Sequence, residues 1–189
     1  MAAMKSGVLA LQGDFREHAG VLEDLGVTPV LVRTSEELAE VDCLAIPGGE
    51  STTIGRLARL HGLVEPIRER VREGMPVLGT CAGLIVMARE VDGGQPLLEL
   101  MDLRVARNAY GRQVDSFEAD VSLRGQEEPV RAVFIRAPVI ERIGPEVEVL
   151  AEHGGRPVVV EQDRLLAGAF HPELAGDARL HRRFLDKVG

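Results

Sequence analysis

Val77-Leu78-Gly79-Thr80-Cys81-Ala82-Gly83-Leu84 reads as a short apolar strand that ends at a cysteine, with a helical pattern starting directly after it. A sharp strand-to-helix turn of this kind lifts one side chain clear of the sheet. The small residues Gly79, Ala82 and Gly83 let backbone pass close to it without a clash. The unpaired N–H groups and the dipole of the following helix favour a thiolate at Cys81. The plainer alternative is a buried thiol among glycines that serve packing alone.

Upstream of this turn, Gly7 to Leu11, Val27 to Val32 and Cys43-Leu44-Ala45-Ile46 are nearly continuous apolar runs, the pattern of strands covered on both faces. Helical patterns lie between them. Phe15, Ala19 and Leu22 form one, with Asp14 able to cap it and Gly26 stopping it; Thr34-Ser35-Glu36-Glu37 opens a short second one. Ile54, Leu57 and Leu60, then Val64, Ile67 and Val71, give two more. Strands alternating with helices predict a parallel sheet with right-handed crossovers.

Downstream, the turn formers Asp92-Gly93-Gly94-Gln95-Pro96 separate this half from one that is richer in strands. Leu103 to Val105, Val114 to Val121, Val130 to Ile135 and Val147 to Ala151 are candidates, with few helices between them. Arg156 to Glu161 and Leu165 to Phe170 flank Gln162-Asp163-Arg164, which predicts a hairpin. Leu180, Phe184 and Val188 form the stripe of a closing amphipathic helix. The sequence carries no repeat, low-complexity tract or linker, so residues 1–189 are expected to form one domain.

Of the 189 residues, 22 are Lys or Arg and 30 are Asp or Glu, a formal net charge of -8 that repels phosphate backbones and argues against a nucleic-acid partner. Aromatic residues make up 3% and Trp is absent, so aliphatic side chains must build the core and a base-stacking surface is not expected. Cys43 and Cys81 are too few for a disulfide framework and lack zinc-ligand spacing. Cys43, inside an apolar run, is expected to be an inert core thiol. The apolar run after Lys5 is too short for a signal-peptide core or a membrane span, so the expectation is a cytoplasmic protein with no membrane partner.

A nucleophilic cysteine needs a base. Among the five histidines, His18, His61, His153 and His181 read as surface or capping residues. His171 follows an apolar strand, precedes Pro172 and has Glu173 two positions on. A residue before proline is held extended, and positions two apart in an extended segment point the same way. Glu173 is thus placed to accept from one imidazole nitrogen while the other faces the thiol. Taken alone, His-Pro-Glu reads first as a turn at a strand end; together with the cysteine turn it reads as a base and its orienting carboxylate. A third element, Pro47-Gly48-Gly49-Glu50-Ser51-Thr52-Thr53, again joins a buried strand to a helix. Loops at the carboxyl ends of parallel strands line one crevice. An oxyanion hole built from an N–H of Gly48 or Gly49 and the N–H of Ala82 would be worth about 3 kcal/mol per donor. A tight turn with a Ser/Thr cap is the alternative.

These residues resemble the class I glutamine amidotransferases, and more narrowly the family of glutaminase subunits of pyridoxal 5'-phosphate synthase. The likeness is carried by Leu11-Gln12-Gly13 with Arg16-Glu17-His18, by Pro47 to Thr52, by Gly79 to Gly83, by Arg107-Asn108-Ala109-Tyr110-Gly111-Arg112-Gln113, by Phe134 to Pro138 and by Phe170-His171-Pro172-Glu173. Ile85 stands where many amidotransferases carry Gln, which is itself similar to the pyridoxal-phosphate branch. The resemblance implies an α/β three-layer sandwich of flavodoxin-like type around a mostly parallel central sheet. It implies hydrolysis of L-glutamine to glutamate and ammonia by Cys81, His171 and Glu173, and a glutamine site formed by Gly49, Glu50, Ser51, Arg107, Ile135 and Arg136. It also implies a (β/α)8-barrel synthase subunit as partner in a hetero-oligomer, receiving the ammonia through a channel, and no cofactor or metal on this subunit. An arginine fork suits an α-carboxylate, although solvated strand-end arginines are common. Glu50 suits an α-amino group or the start of its helix. A Cys-His hydrolase that needs no partner, and an interaction module without turnover, are the competing readings.

Overall fold

The computed structural model describes residues 3–94, 96–107 and 116–189. The first half runs β1 (Lys5–Leu9), α1 (Phe15–Asp24), β2 (Thr28–Val32), α2 (Ser35–Ala39), β3 (Cys43–Ile46), α3 (Ser51–Leu60), α4 (Val64–Arg72), β4 (Val77–Thr80) and α5 (Ala82–Met87). The second half runs β5 (Ala88–Asp92), β6 (Met101–Ala106), β7 (Ser116–Val121), β8 (Val130–Ile135), β9 (Val139–Ile143), β10 (Glu148–His153), β11 (Arg156–Gln162), β12 (Leu165–Gly168), a 3-10 turn (Pro172–Leu174) and α6 (Arg179–Leu185).

The central sheet has the strand order β10-β11-β12-β4-β3-β1-β2. From β2 to β12 all neighbours are parallel, and β11 and β10 extend the sheet antiparallel. The period of two along each strand divides the core between two faces. In β3, Leu44 and Ile46 face Ile54 and Ala58 of α3, Ile67 of α4, Leu84 and Met87 of α5, and Leu103 and Val105 of β6. Cys43 and Ala45 face the opposite layer, with Leu22 of α1, Leu180 and Phe184 of α6, and Ala132 and Phe134 of β8. The parallel sheet, the three layers and the strand-rich second half are those expected. The added strands form a three-stranded sheet, β5-β6-β9, and a two-stranded ribbon, β7-β8.

Several boundaries differ from the sequence reading. The first strand ends at Leu9, although Ala10 N–H still donates to the Val32 carbonyl at 2.9 Å. The strand β5 follows α5 with no connecting residue, so no turn former announced it. In the hairpin, Gln162 pairs with Leu165, which leaves the two-residue turn Asp163-Arg164 rather than three residues. Asp163 takes the left-handed conformation, φ 54°, that such a turn demands and Asp tolerates. Leu60 continues the α3 stripe by spacing but lies 75% exposed, because the helix ends at the following residue. Val188 lies past the end of α6 and still packs on its layer. The run Asn108 to Gln113, the strand start at Val114 and the loop residue Gln95 fall outside the described residues.

Cys43 is fully buried on β3, with its thiol 3.3 Å from the Ser6 hydroxyl, and burial pushes its pKa up to about 11. Replacing sulfur by a smaller, more polar hydroxyl there should cost about 1–2 kcal/mol of stability. We expect Cys43→Ser to lower the denaturant midpoint while leaving turnover per folded molecule unchanged; an equal midpoint with lost turnover would show a chemical role.

Candidate active site

The geometry of Cys81 follows from the strand it ends. β4 delivers the chain to Cys81, and α5 starts at the next residue. To make that reversal Cys81 adopts φ 51° and ψ -106°, a positive φ that a residue with a Cβ normally avoids. Its N–H is anchored to the Gly168 carbonyl at the end of β12, 2.9 Å away. The flanking glycines are required by contact: a Cβ on Gly83 would lie 2.0 Å from the Ile46 carbonyl oxygen, and one on Gly79 would lie 2.3 Å from the Met87 sulfur. Helix α5 thus crosses against the sheet more closely than any larger residue permits.

Because β12 lies parallel beside β4 with Gly168 opposite Thr80, the segment leaving β12 emerges next to Cys81. His171 lies on that segment, its N–H held by the Val133 carbonyl of β8 at 2.8 Å. Its Nδ1 is 2.6 Å from Glu173 Oε1, and the ring lies within electrostatic reach of the Cys81 thiol. The Sγ of Cys81 also lies 3.7 Å from the Ile135 carbonyl. The structure therefore brings Cys81, His171 and Glu173 together, though not by the extended i, i+2 geometry expected for the last pair. Pro172 opens a 3-10 turn, closed by Leu174 N–H to the His171 carbonyl at 3.3 Å, and that turn folds Glu173 back under the imidazole.

Burial opposes charge on His171, but the proximity of Cys81 and Glu173 outweighs it and pushes the imidazole pKa up to about 10. Burial raises Glu173 above the usual carboxylate range, with the His171 hydrogen bond acting the other way. Asp14 was expected to cap α1. It occupies the N-cap position without a capping bond, and its carboxylate instead lies 3.3 Å from His171 Nδ1. Burial raises its pKa, against the pull of the His171 charge.

These groups open on a cavity of about 470 Å³ lined by Asp14, Gly49, Glu50, Ser51, Cys81, Ala82, Ile85, Arg107, Ile135, Arg136, His171 and Leu174. All six residues expected at the glutamine site thus border the same space. Their surroundings differ. Glu50 caps α3, accepting from Thr52 and Thr53 N–H at 3.1 and 2.7 Å and from the Thr53 hydroxyl, which chiefly holds its carboxyl below the usual range. Of its two readings, the helix-start one is what its hydrogen bonds display. Arg107 donates to the Thr52 hydroxyl at 3.0 Å and to the Gly93 carbonyl at 2.6 Å. Arg136 is exposed, with φ 44° at the end of β8, and its guanidinium has no hydrogen-bond partner among the described residues.

The loop before α3 is fixed by close approach. A Cβ on Gly48 would meet His171 Cε1 at 2.3 Å. Gly49, at φ 153°, leaves no room for one beside the Gln12 side chain, whose Oε1 accepts from Glu50 N–H at 2.7 Å. Ala82 opens α5, where the first N–H groups have no intrahelical partner.

Two histidines were misread as surface groups. His18 and His181 are fully buried behind the triad. Their spacing carried the signal: His18 falls between Phe15 and Leu22 on the apolar face of α1, and His181 lies one turn before Phe184. Both read as polar by residue type and as core by position. His61 is exposed at the end of α3, as expected, whereas His153 is half-buried against Phe117 and Phe134.

Residues 8–189 match the model of the SNO glutamine amidotransferase family. The chain belongs to this family. A pyridoxal 5'-phosphate synthase subunit PdxT from Frankia casuarinae is 58% identical, over 100% of this chain and 96% of that protein. A solved glutamine amidotransferase is 52% identical with a TM-score of 0.93, covering 97% of this chain and 98% of the other. The structure of PurLQS from Thermotoga maritima, at 16% identity and a TM-score of 0.74 over the whole of both chains, shares the fold alone. No described helix of this family member is long and apolar enough to cross a membrane.

Proposed function

We propose that the chain hydrolyses L-glutamine to L-glutamate and ammonia, as one glutaminase domain of a pyridoxal 5'-phosphate synthase. The observation that carries this reading is the placement of Cys81 beside the hydrogen-bonded His171–Glu173 pair at the ends of two adjacent parallel strands, on a cavity bordered by two arginines. Family membership and the relative's name support the reaction and its setting.

In the mechanism, Cys81 Sγ attacks the side-chain amide carbon of glutamine. The imidazole, its pKa pushed up to about 10, takes the proton of the Cys81 thiol and hands it to the amide nitrogen as the C–N bond breaks. Ammonia leaves and a thioester to Cys81 remains. His171, now neutral, takes a proton from water, whose oxygen displaces the sulfur and gives glutamate. Glu173 keeps the ring oriented throughout. An N–H from Gly48 or Gly49 and that of Ala82 stabilise the oxyanion. Arg107 and Arg136 are the candidates for the α-carboxylate, and Gly49, Glu50, Ser51 and Ile135 border the rest of the substrate. Ammonia that reaches bulk water is protonated and lost as a nucleophile, so the synthase partner, a (β/α)8-barrel subunit in a hetero-oligomer, must receive it directly.

The test is ammonia release from free glutamine by the full chain, with and without the barrel subunit. We expect release that the partner increases. No release under either condition, with hydrolysis of peptide or ester substrates instead, would replace this reading with that of a partner-free hydrolase.

A further inference from the structure

Behind the triad lies a buried polar chain to which the mechanism above gives no role. Glu173 uses Oε1 for His171, while its other oxygen, Oε2, is buried and lacks a conventional hydrogen bond. The nearest titratable atom on that side is His18 Nε2, 3.4 Å away, which also lies 3.0 Å from the Thr80 hydroxyl. The other ring nitrogen of His18, Nδ1, is 2.9 Å from His181 Nε2. His181 Nδ1 is buried and unpartnered.

Two neutral proton arrangements are open to these atoms, and they differ in what they leave unpaired. If His18 carried its proton on Nδ1 and gave it to His181, the lone pair on Nε2 would face the Glu173 carboxylate, and His181 would bury an unpaired N–H. The opposite arrangement puts the His18 proton on Nε2, shared between Glu173 Oε2 and Thr80. His181 then donates from Nε2 to His18 Nδ1 and leaves at Nδ1 only an unpaired acceptor, the less costly orphan. Burial, then the nearness of His181 and His171, hold His18 well below the ordinary imidazole range, and burial brings His181 to about 4, so both rings are neutral as this arrangement requires.

We propose that His18 is a positioning residue for the glutaminase reaction, donating from Nε2 to the inner oxygen of Glu173 so that the outer oxygen stays ionised and aimed at His171. The inference rests on the Cys81–His171–Glu173 reading. The groups facing His18 are Thr80 from β4, His181 from α6, Glu173 from the 3-10 turn and, beyond that carboxylate, His171 and Asp14; Asp177 acts on His181. Without the donor, Glu173 takes up a proton at higher pH, His171 loses its orienting partner, and the acid limb of activity moves upward.

The test compares two amides at position 18 in the full chain, assayed for ammonia release with the synthase subunit present. A Gln amide reaches the place of Nε2, whereas an Asn amide reaches only that of Nδ1. We expect His18→Gln to stay within about fivefold of wild-type kcat, and His18→Asn to lose about thirtyfold with KM within about twofold and an acid limb about one pH unit higher. Equal kcat and equal acid limbs in the two variants would overturn the proposal. Should both fail to fold, side-chain 15N spectra of the wild-type histidines decide it: a proton on Nε2 of His18 supports the role, and one on Nδ1 ends it. Cys81→Ala runs alongside. Ammonia release surviving in that variant defeats the triad reading itself, whereas its loss together with indistinguishable position-18 variants defeats the role of His18 alone.

Discussion

Cys81→Ala should lower glutamine hydrolysis by more than about 10⁴-fold while leaving the molecule folded, because no other thiol borders the cavity among the described residues. Cys43, the second thiol, is buried in the opposite layer with its pKa raised and has no access to the cavity. Ammonia release within about tenfold of wild type would remove the nucleophile assignment. The same position offers a measurement of stored strain. Exchanging Ala for Gly in an ordinary helix or strand costs about 0.5–1 kcal/mol. At φ 51° and ψ -106° a Cβ is unwelcome, so Cys81→Gly should be at least as stable as Cys81→Ala, although both are inactive. A Gly variant less stable than the Ala variant by the usual amount would mean that the turn carries no strain. The combination of lost chemistry and gained or equal stability distinguishes a residue kept for its sulfur from one kept for packing.

The sequence made the frame of this site readable, and the reason is period. Buried parallel strands read as unbroken apolar runs, so the strands ending at Ile46 and Thr80 stood out, and the rule that loops gather at the carboxyl ends of such strands placed the Gly48-Gly49 loop beside Cys81. What sequence alone did not give was anything set by tertiary contact. Asp14 looked like a helix cap by type and position, yet its carboxylate turns toward His171, because a buried imidazole that carries charge draws it more strongly than the exposed end of α1. Glu173 was expected beside His171 for the wrong geometric reason, an extended pair instead of a 3-10 turn. His18 and His181 were dismissed by residue type, since a lone histidine on a helix is usually solvated; only the partner helix and Thr80 make their burial affordable. β5 went unread because it follows α5 with no connecting residue between the two patterns.

The Gly48 position yields the second large effect. An alanine there needs no unusual backbone angle, so its consequence comes from contact: its Cβ would lie 2.3 Å from His171 Cε1, 2.9 Å from Nδ1 and 3.2 Å from Asp14 Oδ2. Real Cβ atoms do not sit this close, so either the loop or the imidazole must move. The loop is tied by Asp14 N–H to the Gly48 carbonyl at 3.0 Å and by Glu50 N–H to Gln12. The imidazole is tied by Glu173 at 2.6 Å and by the backbone bond to Val133. Any compromise shifts the proposed base relative to the sulfur or shifts the neighbouring N–H proposed for the oxyanion hole, and a displacement of about 1 Å costs about 10²-fold in rate. We therefore expect Gly48→Ala to lower kcat/KM by about 10²-fold or more, at a stability cost of about 1–3 kcal/mol from the overpacking. Gly20 provides the control, since a Cβ there meets nothing within 4 Å and the residue lies inside α1. Gly20→Ala should gain about 0.5–1 kcal/mol of stability and keep full turnover. Turnover by Gly48→Ala within about threefold of wild type would show that the base does not need the place in which the structure holds it.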